Sequence, residues 1–282
     1  VHFASGTHTL ACCLFGNIRP GNKLISAAGS PYDTMQEVIG TAGDDATKED
    51  SLIAHGVLYD EVPLKDNEVD YEKLEEMIDE TVTMVLIQRS KGYSTRNSLS
   101  IDDIERICKI VKSKNPNCIC FVDNCYGEFV DSREPLEAGA DLIAGSLIKN
   151  PGGGIVEAGG YIAGKAKYVD KSANRLTAPG IGSEGGAMFN QHRLMFQGLF
   201  MAPSVVCDAV KGAVLAAKIF EEIGYDSAPK YNEKRTDIIQ NIIFGSPEPL
   251  EQFCRTIQSL SPVNGYVTPI PEYIPGYEDK VI

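Results

Sequence analysis

No stretch of the chain is apolar for the roughly 18 residues a membrane span requires. The longest candidate, Val205 to Ala217, is interrupted by Asp208 and Lys211, so neither a transmembrane helix nor a membrane partner is expected. Basic residues are scarce: 26 Lys and Arg stand against 39 Asp and Glu, a net charge of −13 at pH 7. No basic cluster offers a footprint for a phosphate backbone, which argues against nucleic acid as a partner. The 8 cysteines form no C-x-x-C pair and have no His at zinc spacing. They read as small core residues of a reduced, cytoplasmic protein, with no metal site. There is no internal repeat and no low-complexity tract. The start, Val1-His2-Phe3-Ala4, lacks an initiator Met and the charged and apolar regions of a signal peptide. On that reading the chain is a fragment.

What is present is ordinary globular usage, 43% hydrophobic and 23% charged over 282 residues. That length suits one large domain or two ordinary ones. Short apolar runs alternate with amphipathic stretches. Thr7 to Phe15 reads as a helix with Ser5 as N-cap and Gly16 beyond its end, and Lys23 to Ala28 reads as a strand. Tyr71 to Asp79 is a helix, Val82 to Ile87 a buried strand, Ile101 to Ser113 a helix, Cys118 to Val122 a strand and Leu142 to Gly145 a shorter one. Strand and helix in alternation predict an α/β protein, a mostly parallel sheet with helices on both faces and right-handed crossovers. Ile155-Val156 and Tyr161 to Ala163, about Gly159-Gly160, predict one antiparallel hairpin on that sheet. A long helix from Ser204 to Ile223 marks a boundary between a domain at 1–203 and an incomplete α/β domain at 204–282, proline-rich from Ser246 and ending in a strand-like Val281-Ile282.

In Phe121-Val122-Asp123-Asn124-Cys125-Tyr126-Gly127-Glu128-Phe129 an acid stands directly after a buried strand. Ligands bind at the carboxyl ends of parallel strands. The next strand leads into Ser146-Leu147-Ile148-Lys149-Asn150-Pro151-Gly152-Gly153-Gly154, so Asp123 and Lys149 can face one crevice. A desolvated lysine there can act as amine nucleophile or base. The plainer readings are a helix-capping Asp and a solvated Lys. Ser5-Gly6-Thr7 opens a helix whose N–H groups can hold an anion, or Ser5 is only a cap. Pro151 to Gly154 lacks the spacing of a nucleotide-phosphate loop and reads as a place where backbone passes close to the lysine. Gln88-Arg89-Ser90 follows a strand, which points Arg89 or Ser90 at the crevice. His8, His55 and His192 show no metal-like grouping.

These motifs, with Ser5-Gly6-Thr7-His8 and Gly29-Ser30-Pro31-Tyr32-Asp33-Thr34, resemble the fold-type I enzymes dependent on pyridoxal phosphate (PLP), in particular the methionine gamma-lyase-like group known as aluminium resistance proteins. The resemblance implies that Lys149 is the Schiff-base lysine and shuttles the substrate's α-proton, and that Asp123 keeps the ring nitrogen protonated. It implies phosphate ligation by Ser5, Gly6, Thr7 and Ser146, and Tyr32 as a catalytic aromatic lying flat on the ring. Tyr126 stands where a tyrosine donates to the ring hydroxyl or packs in the core, while Cys125 packs near the ring without reacting. The implied activity is carbon–sulfur cleavage of a sulfur-containing amino acid in a homodimer or homotetramer. Transamination, retro-aldol cleavage and a non-catalytic dimerisation module remain open alternatives, since substrate groups decide which bond breaks.

Overall fold

The computed structural model describes residues 2–94, 96–274 and 279–282. The chain forms two compact units, one of residues 1–213 with 234–239 and one of residues 214–233 with 240–282. The first holds a six-stranded sheet. In chain order its elements are α1 (Gly6–Asn17), β1 (Lys23–Ser26), α2 (Asp33–Ile39), α3 (Asp45–Glu49), β2 (Leu58–Glu61), the small pair β3 (Leu64–Lys65) and β4 (Glu68–Val69), α4 (Tyr71–Met77) and β5 (Val82–Gln88). There follow α5 (Ile101–Lys114), β6 (Ile119–Asp123), β7 (Leu142–Ser146), β8 (Gly160–Gly164), α6 (Ala166–Leu176) and α7 (His192–Glu222), which runs on into the second unit.

The strand order is β2-β1-β5-β6-β7-β8, parallel except for β8, which pairs antiparallel with β7. The predicted strand-helix alternation is therefore realised as a mostly parallel α/β sheet. Its one antiparallel strand arises differently from the expected hairpin: Ile155-Val156 form no strand, and Gly160–Gly164 pairs with Leu142–Ser146 instead.

Because side chains alternate across a strand, each strand feeds two cores. Met84, Leu86, Ile119, Phe121, Leu142 and Ala144 pack with Leu10 and Leu14 of α1 on one face. Val85, Ile87, Cys120, Val122 and Ile143 pack with Leu74 of α4 and Ile104 and Ile107 of α5 on the other. Six of the eight cysteines are buried, four of them as members of these cores.

Helix α1 starts as predicted, with the Ser5 Oγ accepting from the His8 N–H at 3.1 Å. It runs through Gly16 rather than ending before it. A Cβ on Gly16 would lie 2.9 Å from the Lys171 carbonyl oxygen, so this glycine serves the close packing of α1 on α6. At the same contact the buried Asn17 amide donates to the Cys13 and Tyr168 carbonyls and to Ser172 Oγ. Helix α7 begins at His192, a full three turns before the predicted Ser204, and continues through Pro203. The added Leu194, Phe196, Leu199 and Phe200 make it, among the described residues, the one helix long and apolar enough to cross a membrane by length and composition alone. The expectation that no such segment exists is corrected to that extent.

The second unit pairs β9 (Asp226–Ala228) with β10 (Asn241–Ile243), followed by α8 (Pro247–Leu260). Its small core is aromatic, with Phe244 edge-on to Phe220 and Tyr225, and Phe253 against both Phe220 and Phe244. The proline-rich text after Ser246 opens with a helix, Pro247 occupying the first helical position where its missing N–H is harmless. The strand-like Val281 makes a single antiparallel bridge to Glu272.

On the α5 face, a buried polar network fixes the turn that follows β6. Arg89, wholly buried, donates to Asn124 Oδ1 at 2.8 Å; Asn124 donates to Glu134 and to the Tyr161 hydroxyl; Tyr161 donates to Glu128 Oε1 at 2.8 Å. The Asn150 amide ties the carbonyls of Tyr126 and Glu128 together, each at 2.9 Å. These bonds hold Tyr126 and Phe129 at φ values of 70° and 64°, a left-handed conformation that costs a non-glycine residue roughly 1–2 kcal/mol.

Burial, reinforced by the charges of Asp123 and Glu134, pushes the Glu128 carboxyl up to about 8. The folded state therefore keeps this proton while the unfolded chain releases it near the ordinary value of 4.5. The Glu128 contribution to stability is whole below that value and is lost as pH rises towards 8, at about 1.4 kcal/mol per pH unit. Urea unfolding at pH 6 and pH 8.5 should show wild type losing more stability than Glu128→Gln between the two; equal losses would remove Glu128 as the cause. Asn17→Ala should cost about 1–3 kcal/mol in the same assay, since two backbone acceptors lose their donor.

Candidate active site

The side-chain alternation that builds the two cores also selects the residues at the carboxyl edge of the sheet. Gln88 ends β5, Asp123 ends β6 and stands opposite it in register, and Ser146 ends β7. All three continue the series that faces α1. Arg89, Asn124 and Gly145 fall on the α5 face.

Asp123 is 5% exposed, and its Oδ1 accepts the Cys125 N–H at 3.1 Å. Burial raises its pKa, opposed by the positive charge of Lys149. Among the described residues no Lys, Arg or His nitrogen lies within 4.0 Å of the carboxylate. Lys149 follows β7 and begins the turn Asn150–Gly152. Its Nζ sits 3.9 Å from the centre of the Tyr126 ring, a cation–π contact. Burial works against the ammonium, but the Asp123 charge and the Tyr126 side chain favour it, and the balance holds the pKa above the usual lysine value. Acid and lysine thus sense each other's charge across neighbouring strand ends.

The glycine run behind Lys149 has the role expected of it. A Cβ on Gly152 would fall 1.7 Å from the Leu147 carbonyl oxygen, and one on Gly153 2.4 Å from that of Gly198 in α7. Only a chain without side chains can turn back so tightly beside the lysine.

Tyr32 precedes α2, and its hydroxyl lies 3.4 Å from Thr7 Oγ1. Burial, then the Asp123 charge, raises its pKa, and Lys149 acts on it from the other side. Thr7 in turn belongs to the first turn of α1, where the Gly6 and Thr7 N–H groups have no intrahelical acceptor. A Cβ on Gly6 would stand 2.7 Å from Ser146 Cβ and 3.1 Å from its Oγ. The positive end of α1 and the Ser146 hydroxyl therefore meet at one point, open only because residue 6 is glycine. The Ser5 hydroxyl is engaged as the helix cap.

The predicted residues Ser5, Gly6, Thr7, Tyr32, Asp123, Tyr126, Ser146 and Lys149 thus converge on the α1 side of the sheet edge. Arg89 and Ser90 do not join them. Arg89 turns to the α5 face, and Ser90 is buried with its carbonyl accepting from Gln88 and Arg96. A residue after a strand points to alternate faces, and it is Gln88 whose parity matches Asp123. Cys125 is buried, and burial beside the Asp123 charge pushes its thiol far above the usual value, which keeps it protonated and unreactive. No group of three or more His, Cys, Asp or Glu that could hold a metal occurs among the described residues. His8 accepts from the Ala4 N–H, a local contact at the start of α1.

The sequence pattern of the methionine gamma-lyase family matches residues 1–282. The uncharacterized protein YnbB of Bacillus subtilis (strain 168) is 48% identical over 279 residues, 99% of this chain and 66% of its own length. The crystal structure of a carbon-sulfur lyase involved in aluminum resistance from Clostridium novyi NT superposes with a TM-score of 0.91 at 48% identity, covering 96% of this chain and 65% of that one. A Clostridium acetobutylicum protein linked to aluminum resistance gives a TM-score of 0.92 at 50% identity, covering 96% and 64%. The cystathionine gamma-lyase of Lactobacillus plantarum, complexed with L-serine, shares only the fold, at 18% identity and a TM-score of 0.59 over 78% of this chain and 51% of that one. The chain spans about two thirds of the length of its nearer relatives. Sequence and fold together make it a member of the methionine gamma-lyase family.

Proposed function

We propose that this chain carries the cofactor site of a PLP-dependent carbon–sulfur lyase that acts on a sulfur-containing amino acid. The observation that carries the reading is Asp123, a buried carboxylate with no cation at ion-pair distance among the described residues. A buried acid either stays protonated, as Glu128 does, or finds a positive partner, and for Asp123 the protonated nitrogen of a pyridine ring would supply one. The other residues fit the same group: Lys149 offers an amine beside that acid, the α1 N-terminus with Ser146 offers a phosphate cradle kept open by Gly6, and Tyr32 offers an aromatic face between them.

When bound, PLP supplies an aldehyde that joins amines and a ring that draws electrons from the substrate's α-carbon. The chain's own residues have separate tasks around it. Lys149 Nζ would hold the cofactor and, as the amine nearest Asp123 and Tyr126, would accept the substrate's α-proton and return one to the leaving side. Asp123 holds a proton on the ring nitrogen by charge; a neutral side chain there cannot. Tyr32, its hydroxyl 3.4 Å from Thr7 Oγ1 at the start of α1, would offer its aromatic face to the ring. Tyr126 covers the ammonium of Lys149 from the other side and excludes water from it. Scission of a carbon–sulfur bond, rather than transamination, is supported by the family match and by the carbon-sulfur lyase of Clostridium novyi.

Purified protein mixed with PLP should develop a yellow visible absorption band, absent from Lys149→Ala; a colourless wild type refutes the proposal. Asp123→Asn should keep the covalent band yet lose at least about 100-fold of the thiol release, since about 2.7 kcal/mol of charge stabilisation is at stake. Cystathionine, methionine and cysteine, assayed with the full-length protein for thiol and keto acid, test the reaction class. Transfer of the amino group without thiol release would assign the site to a transaminase.

A further inference from the structure

Gln88 has no role in the account so far, yet it is the polar side chain that the strand alternation places next to Asp123. It is 9% exposed at the end of a mostly apolar strand. Its Oε1 accepts the backbone N–H of Tyr32 at 2.8 Å, and its Nε2 donates to the Ser90 carbonyl at 2.8 Å. Each amide atom has one partner of the opposite kind, so the orientation of the amide is fixed by its surroundings.

The strand end that carries Gln88 is itself clamped. The Arg96 guanidinium, 3% exposed, donates to the carbonyls of Gln88, Ser90 and Asn97. The Arg89 N–H donates to the Asp123 carbonyl, locking β5 to β6 at the same level. Tyr32, by contrast, sits in a loop ahead of the short helix α2, and no side chain of its own caps that helix. Its hydroxyl contact with Thr7 is long, at 3.4 Å. The start of the loop is tied to the sheet through Ser26 Oγ to the Gly29 carbonyl and Ser30 Oγ to Glu61, and the bond from Gln88 is the short link at Tyr32 itself.

We infer that Gln88 is a positioning residue: through its bond to the Tyr32 N–H it sets the aromatic face of the cofactor site at a fixed height relative to Asp123. The inference rests on the PLP reading of the site. If Gln88 acts only through Tyr32, its removal matters only while the Tyr32 ring is there to be misplaced. Gln88 also spans two strands' worth of positions with one side chain, since it pairs in register with Asp123 and bonds to the loop after β1. The ring's nitrogen partner and its stacking partner are then referenced to the same strand end.

The test is a double-mutant cycle on PLP affinity and on the visible circular dichroism of the cofactor-loaded protein, using wild type, Gln88→Met, Tyr32→Ala and the double variant. Gln88→Met should weaken PLP binding about 10-fold, the factor expected of one lost hydrogen bond, and shrink the dichroic band. In the Tyr32→Ala background the same change should have no further effect. Should Gln88→Met not fold, Tyr32→Ala alone keeps the test, because removing the aromatic face should itself shrink the dichroic band. Additive losses in the cycle, or an unchanged band in Tyr32→Ala, overturn the inference while leaving the PLP reading intact. A wild type that binds no PLP overturns both.

Discussion

The two-residue period of a β-strand is the constraint from which the site follows. Once Phe121 and Leu86 are committed to the core beneath α1, Asp123 and Gln88 must emerge on that same side. Once Val122 and Ile87 are committed to the α5 core, Asn124 and Arg89 must emerge on the other. A shift of one residue in the pairing of β5 with β6 would exchange the two sets. The chemistry is thus placed by apolar residues that never touch it, and the hydrophobic burial that fixes register is what holds the acid and the amine in one crevice.

The opposite face does complementary work. There Arg89, Asn124, Glu134, Tyr161 and Glu128 form a continuous polar chain behind the site. Such a network rigidifies its surroundings as far as its members are paired, and here each residue makes at least one bond while Arg89 Nε and Nη2 and Glu128 Oε2 make none. Here it holds the left-handed Tyr126 and Phe129, while Asn150, next in sequence to Lys149, bonds to the carbonyls of Tyr126 and Glu128. The turn bearing the cation–π partner of the lysine and the turn bearing the lysine are in this way one body. Gly152 and Gly153 allow that body to pack under the backbone of α7.

Much of this was legible in the sequence because strong apolar runs end in isolated polar residues. The run Val82 to Ile87 and the run Cys118 to Val122 locate two strands to within a residue, and an acid after the second marks the edge where ligands bind. Asp123, Lys149 and the Ser5 cap could therefore be named before any coordinates. Gln88 lies within reach of the same argument by strand parity, although the charged Arg89 beside it is the more conspicuous residue. The hairpin expectation differs from the structure because Ile155-Val156 are as apolar as any strand, while the partner of Gly160–Gly164 is the preceding strand β7. The start of α7 is masked in the sequence by Gly198, Pro203 and the aromatic Phe196 and Phe200, residues of low helix propensity, the two aromatics exposed on the helix. Helix α2, bounded by Tyr32 and the left-handed Gly40, has no side-chain cap to announce it.

One amine, Lys149 Nζ, is where we propose that the cofactor joins this chain. Reduction of the PLP-loaded protein with borohydride, followed by peptide mass spectrometry, locates that bond directly. A single pyridoxyl label on the peptide containing Lys149 is expected. A label on another lysine, or none at all, would contradict it.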